Sequence, residues 1–214
     1  MFRNLFKPDS GLMITMTQLT DCIFLSLFWL LGCFPVVTAG ASFAALYDAT
    51  LRGLRKGEKH CWGRFWSVFR RNLKASILPN IVALGNAFIL GQNLIRIWNA
   101  AVAGDRSWMV FSAVAFMGML VVGILSIAFP MLSRFENSTW DLLRNAVLMG
   151  MANLPRTLIL GILNAAAIFL CLRYVFPLFF LPSLAALIGS WLIEPMFRPY
   201  LPPDVGEGLD PPVA

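Results

Sequence analysis

The sequence predicts an all-α, polytopic membrane protein with about six transmembrane helices and two cytoplasmic, interfacial amphipathic helices. The chain is 58% hydrophobic and only 13% charged, whereas soluble domains carry about 25% charged residues. An uncharged run of 26 residues, 22–47, is followed by a dense group of positive charges. Such a junction is typical of a membrane span and its cytoplasmic end. This group, the basic collar, holds eight of the 17 Lys and Arg residues: Arg52, Arg55, Lys56, Lys59, Arg64, Arg70, Arg71 and Lys74.

The first two predicted spans cover residues 11–34 and 36–54. Pro35 separates them, because its ring removes a backbone donor and clashes with the preceding turn. The second segment is about 28 Å long as a helix, and small residues let helices approach closely in lipid. We therefore expect it to return to the cytoplasm packed against its neighbours. Its small residues are Gly40, Ala41, Ala44, Ala45 and Ala49.

The remaining predicted spans cover residues 75–95, 108–129, 157–172 and 175–193, with Pro130 ending the fourth span. In residues 62–73 the aromatic side chains recur at helical spacing and Arg64, Arg70 and Arg71 lie elsewhere on the helix, which predicts an interfacial helix. Residues 131–151 form the second amphipathic stretch. We expect residues 1–200 to form one transmembrane domain and the acidic, Pro-rich residues 201–214 to be disordered.

The distribution of Lys and Arg predicts the orientation. Six spans place 14 of the 17 in the cytoplasm, together with both termini, and leave Arg96, Arg106 and Arg173 outside. If residues 36–54 are only a surface helix, five spans remain and the division becomes 12 inside and five outside. The positive-inside bias favours six. The same bias accounts for the net charge of +6, so we expect anionic lipid headgroups, and no nucleic acid, at the collar.

Two carboxylates near the predicted cytoplasmic ends of spans are the candidate charged site residues. Asp48 lies four residues before Arg52 and Glu194 four before Arg198, so each can form an ion pair on one helix face. Ion pairing is the favoured interpretation, because an unpaired carboxylate within a span costs about 2.5–3.5 kcal/mol. The alternative is a site for a substrate or a proton.

The aromatic side chains of residues 62–73 are candidates for a membrane anchor or a face that binds a partner protein. They are Trp62, Phe65, Trp66 and Phe69. The chain lacks the sequence motifs of common hydrolases and phosphate-binding loops, and His60 is its only histidine. We therefore expect no enzymatic activity, no cofactor and no metal site.

The N-terminal third resembles the YesL-like family of bacterial integral membrane proteins, a family of unknown function. The similarity lies in Phe34-Pro35-Val36-Val37-Thr38, then Ala44-Ala45-Leu46-Tyr47, then Lys56-Gly57-Glu58, and finally Phe65-Trp66-Ser67-Val68-Phe69-Arg70-Arg71. It covers about residues 20–80. It differs from the family pattern at Ala41, where the family usually has Pro, and at Ser26, where it often has Asn. The resemblance implies a location in the bacterial inner membrane and an association with carbohydrate uptake.

Two functions remain open from the sequence. The first is an accessory protein that binds a partner, such as a sugar ABC transporter or another membrane protein. The second is a small transporter or channel for a sugar-related or other small solute. A carrier needs polar groups at mid-span, whereas the ionisable residues of this chain lie near the span ends. The accessory role is therefore favoured, and the sequence identifies neither the partner nor a ligand.

Overall fold

The protein is built from α-helices in the computed structural model, which describes residues 11–55, 61–102, 108–134 and 139–200. No β-strand occurs in these ranges. Short 3-10 segments at Val36–Thr38, Phe176–Phe179 and Arg198–Tyr200 and a π-helical turn at Leu51–Arg55 link or end the helices. The α-helices are α1 Gly11–Cys33, α2 Ala39–Thr50, α3 Cys61–Val102, α4 Trp108–Arg134, α5 Thr139–Ala152, α6 Leu154–Arg173 and α7 Leu181–Phe197.

The short helix α2 lies at the centre of the bundle. Ten of its twelve residues are buried, and Gly40 has no room for a side chain because Ser76, Asn80 and Phe129 surround it. The prediction that this small-residue segment packs closely against its neighbours is confirmed. The turn before α2 is held by the hydroxyl group of Thr38, which donates to the carbonyl oxygen of Gly32 at 2.6 Å.

The chain turns after α1 and runs back along it. The side-chain amide of Gln18 donates to the carbonyl oxygen of Leu54 at 3.4 Å, and the indole N–H of Trp62 donates to Asp21 Oδ1 at 3.0 Å. The π-helical turn and the start of α3 therefore lie beside the N-terminal half of α1. This contact pattern agrees with a second segment that returns toward the side on which the chain began.

Within the part of the chain that the structure describes, four helices are long and apolar enough to cross a membrane. They contain the stretches Met16–Cys33, Cys61–Ala100, Trp108–Arg134 and Leu154–Arg173. Two predicted spans are not among them: residues 36–54 contain the twelve-residue α2, and residues 175–193 contain part of the 17-residue α7. The total of six spans therefore stays a prediction, as does the alternative of five. The predicted disordered tail, residues 201–214, lies outside the described residues.

Helix α3 corrects the expectation of a separate interfacial helix at residues 62–73. The structure continues from Cys61 to Val102 as one helix of 42 residues. The helical hydrogen bonds run without interruption through the predicted boundary between Leu73 and Ala75. At 1.5 Å per residue it is about 63 Å long, roughly twice the hydrocarbon thickness of a bilayer. Pro79 lies inside α3. Pro130 likewise lies inside α4, which ends only at Arg134, so the predicted end at Pro130 is wrong.

Helices α4 and α6 meet where each presents a glycine to the other's backbone. A methyl group on Gly123 would overlap the carbonyl oxygen of Thr157, and one on Gly161 would overlap the carbonyl oxygen of Met119. Close backbone approach of this kind lets helices associate through dispersion and polar contacts in lipid. The second amphipathic stretch follows as α5, a separate helix of 14 residues.

Candidate functional site

Asp48 is the first of two buried carboxylates in the described residues. It projects from α2 with 2% of its surface exposed. Its Oδ1 lies 3.5 Å from Nε of Arg52, one turn later, as the four-residue spacing predicted. Its Oδ2 accepts a shorter bond, 2.6 Å, from Nε of Arg64 on α3. Asp48 therefore joins the end of α2 to the start of the long helix.

Glu194 is the second buried carboxylate, and it draws together three helices. Its Oε1 accepts a hydrogen bond from the Tyr47 hydroxyl of α2 at 2.8 Å and from Nη2 of Arg134, the last residue of α4, at 2.9 Å. The side chains of Arg134 and Glu194 are only 4% and 6% exposed. The phenol O–H of Tyr47 is the donor in its bond to Glu194.

The two clusters are neighbours, because Tyr47 and Asp48 follow each other on α2. Together they tie α2 to α3, α4 and α7 through charged hydrogen bonds, which are stronger than neutral ones. Two polar atoms in the Glu194 cluster, Glu194 Oε2 and Arg134 Nε, have no hydrogen-bond partner among the described residues. The arrangement can hold helices in register, and it also leaves hydrogen-bonding capacity inside the bundle.

Neither Tyr47 nor Arg134 was predicted as a site residue, and the four-residue spacing suggested Arg198 as the partner of Glu194. The structure gives Glu194 the partners Tyr47 and Arg134, which lie 147 and 60 residues away in the chain. One signal was present for Arg134. It is the only charged residue of α4, and an arginine at the end of such an apolar helix needs a counter-ion when it is buried.

The four aromatic candidates do not share one environment. Phe65 is fully buried, and its ring centroid lies 5.9 Å from that of Phe28 on α1. Trp62 is 41% exposed and bonds to Asp21, whereas Trp66 and Phe69 are half-buried. Phe65 therefore belongs to the core between α1 and α3. The predicted role of the other three in anchoring or partner binding stays a prediction.

Metal binding finds no support within the described residues. No group of three or more His, Cys, Asp or Glu side chains there could share an ion, and Cys22, Cys33, Cys61 and Cys171 are free thiols. His60 lies outside the described residues.

Comparison with known proteins relates part of the chain to a known family. Residues 22–94 match the family described as "Protein of unknown function, DUF624". This match is consistent with the YesL-like resemblance of residues 20–80. No curated protein and no solved structure matches the chain. The DUF624 match covers Asp48, Arg52 and Arg64 and ends before Arg134 and Glu194. The Asp48 cluster is therefore internal to the matched segment, whereas the Glu194 cluster joins that segment to the rest of the chain.

Proposed function

We propose that the chain is a multi-pass protein of a bacterial inner membrane that acts as a non-enzymatic accessory protein. It binds another integral membrane protein, and it serves carbohydrate uptake or utilisation. Four apolar helices of sufficient length support membrane insertion. The 14-to-3 division of Lys and Arg supports a cytoplasmic basic collar and cytoplasmic termini. The link to carbohydrates comes from the YesL-like resemblance.

The observation that carries the accessory role is the internal pairing of both buried carboxylates. Asp48 and Glu194 are each held by arginine from another helix, at 2.6 Å and 2.9 Å. The arginine compensates the charge of a carboxylate paired in this way, so the carboxylate serves to hold the helices of the bundle together. Away from these ion pairs the helices present large apolar side chains, such as Phe88 on α3 and Phe169 on α6, which are 69% and 67% exposed. These surfaces suit lateral contact with lipid or with another membrane helix.

The test is photo-crosslinking in living cells. A photoreactive phenylalanine analogue replaces Phe88, Phe169 or, as a matched control, the fully buried Phe65. We expect one discrete cross-linked membrane protein from Phe88 or Phe169, identified by mass spectrometry as a component of a carbohydrate uptake system. Phe65 should give no intermolecular product. Absence of a discrete product from both exposed positions, in cells grown on several carbohydrates, would refute the accessory role.

A second candidate is a small carrier for a sugar-related or other small solute. The unpartnered Glu194 Oε2 and Arg134 Nε favour it, because buried polar atoms inside a bundle can line a solute path. Solute uptake by proteoliposomes that contain only the purified protein would establish this alternative and replace the accessory role.

The orientation has its own test, a cysteine at position 60 in a chain whose native cysteines are replaced. An impermeant maleimide should label it in lysed cells but not in intact cells. Labelling in intact cells would reverse the proposed orientation.

A further inference from the structure

Helices α1 and α7 are linked by hydrogen bonds of Ser183, and an open groove lies beside this link. The hydroxyl oxygens of Ser26 and Ser183 lie 2.8 Å apart, and Ser183 also donates to the carbonyl oxygen of Cys22 at 2.9 Å. The adjacent groove has a volume of about 220 Å³. This is below the roughly 300–1,000 Å³ of pockets for drug-sized ligands, so the groove can enclose only a small group or part of a longer molecule. Its apolar lining is Leu19, Cys22, Leu54, Phe180, Leu184 and Leu187.

The α7 wall of the groove continues as an apolar stripe. Leu184, Leu187 and Trp191 follow at intervals of three and four residues, which places them on one helix face, and Phe180 immediately precedes the helix. From Phe180 to Trp191 the stripe is about 16 Å long at 1.5 Å per residue. The one polar lining residue, Gln18, donates to the carbonyl oxygen of Leu54. A slender apolar chain that follows this wall therefore meets little polar surface before it reaches Trp191.

A cation lies at the Trp191 end of the stripe. The guanidinium carbon of Arg55 lies 4.9 Å from the centroid of the Trp191 ring. Among the described residues, Arg55 has no ion pair with a buried carboxylate, since Asp48 pairs with Arg52 and Arg64 and Glu194 pairs with Arg134. Tryptophan is enriched at the headgroup level of membranes, and a guanidinium group matches the geometry of phosphate. The groove thus ends in a group of complementary charge to an anionic headgroup.

We propose that this groove binds an anionic phospholipid, with one acyl chain along α7 between Leu19 and Leu187 and the phosphate held by Arg55. The site differs from the general attraction of anionic lipids to the basic collar, because it combines an apolar groove with one specific cation, Arg55. The inference rests on the proposed membrane insertion, but it is independent of the accessory role and of any partner.

The experiment is native mass spectrometry of the full chain in a mild non-ionic detergent. The protein is titrated with phosphatidylglycerol and, separately, with phosphatidylcholine carrying the same acyl chains. We expect one tightly retained phosphatidylglycerol per chain and weaker retention of phosphatidylcholine. Arg55→Gln should weaken phosphatidylglycerol retention by about fivefold or more, since each Lys or Arg near an anionic headgroup contributes about that factor.

Two further variants distinguish lipid binding in the groove from general electrostatic attraction. Leu187→Trp fills the groove and leaves every charge in place, so it should reduce the retention of both lipids. Arg96→Gln removes an exposed arginine near the far end of α3 and should leave retention at the parental level. Equal retention of the two lipids, equal effects of Arg55→Gln and Arg96→Gln, or parental retention by Leu187→Trp would each overturn the site. The photo-crosslinking result is unaffected by any of these outcomes, so the two proposals fail separately.

Discussion

Removing one member of the Glu194–Arg134 pair should destabilise the bundle strongly. Both side chains are more than nine-tenths buried, and their charged atoms lie 2.9 Å apart. Glu194→Gln leaves the Arg134 guanidinium buried without a counter-ion, and Arg134→Gln leaves the carboxylate in the same state. Breaking a buried pair in this way costs about 3–5 kcal/mol. For a chain of this length that loss corresponds to a fall in melting temperature of roughly 6–20 °C.

The assay is thermal unfolding of the purified protein in one detergent, followed by circular dichroism. The double variant, Glu194→Gln with Arg134→Gln, should recover most of the loss because no buried charge remains. Tyr47→Phe serves as the control, since it keeps both charges and removes only one hydrogen bond to Glu194. Its expected cost is about 1.5–3 kcal/mol, smaller than either charge deletion.

Two results would refute this reasoning. If both single variants have the melting temperature of the parent protein, the pair does not hold the helices together. If the melting temperature of the double variant is lower than that of both single variants, the damage comes from lost packing and not from an uncompensated charge. Normal melting combined with a lost cellular phenotype would instead make Glu194 a site for a substrate or a proton.

The remaining predictions concern a helix contact and the Asp48 cluster. Gly161→Ala places a methyl group 3.1 Å from the carbonyl carbon of Met119, which no side-chain rotation can relieve. The change should cost about 1–3 kcal/mol by overpacking. Gly91→Ala, which meets nothing within 4 Å, should not lower the melting temperature, and equal losses would contradict the close approach. Arg64→Gln should lower the melting temperature more than Arg52→Gln, because Arg64 is the closer partner of Asp48, at 2.6 Å against 3.5 Å. The reverse order in the same melting assay would show that the helical i,i+4 pair dominates.

The parts of the fold that depend on neighbouring residues could be predicted from the sequence. Pro35 ends the first helix because of its own ring, and the Asp48–Arg52 contact follows from helical spacing. Contacts between distant segments could not be predicted in this way. Arg64 reaches Asp48 only because α3 packs against α2, and Tyr47 meets Glu194 only after the last helix is in place.

The sequence next to a proline does not decide whether the proline ends a helix. Pro79 and Pro130 both lie inside helices, although an interior proline removes one hydrogen bond and disfavours the preceding turn. Packed neighbours can supply alternative partners for the freed backbone groups in a helical membrane protein. Such compensation depends on tertiary structure, so the residues adjacent to a proline do not reveal it.

The burial of α2 has a consequence for how the protein is made. This helix has only twelve residues, about 18 Å, and it carries the acidic Asp48. Tyr47 of this helix donates a hydrogen bond to Glu194 of α7, which is synthesised 147 residues later. At about 5–20 residues per second, that interval lasts roughly 7–30 s. Until Glu194 has been synthesised, Tyr47 and Arg134 lack their shared hydrogen-bond partner, so the centre of the bundle is incomplete.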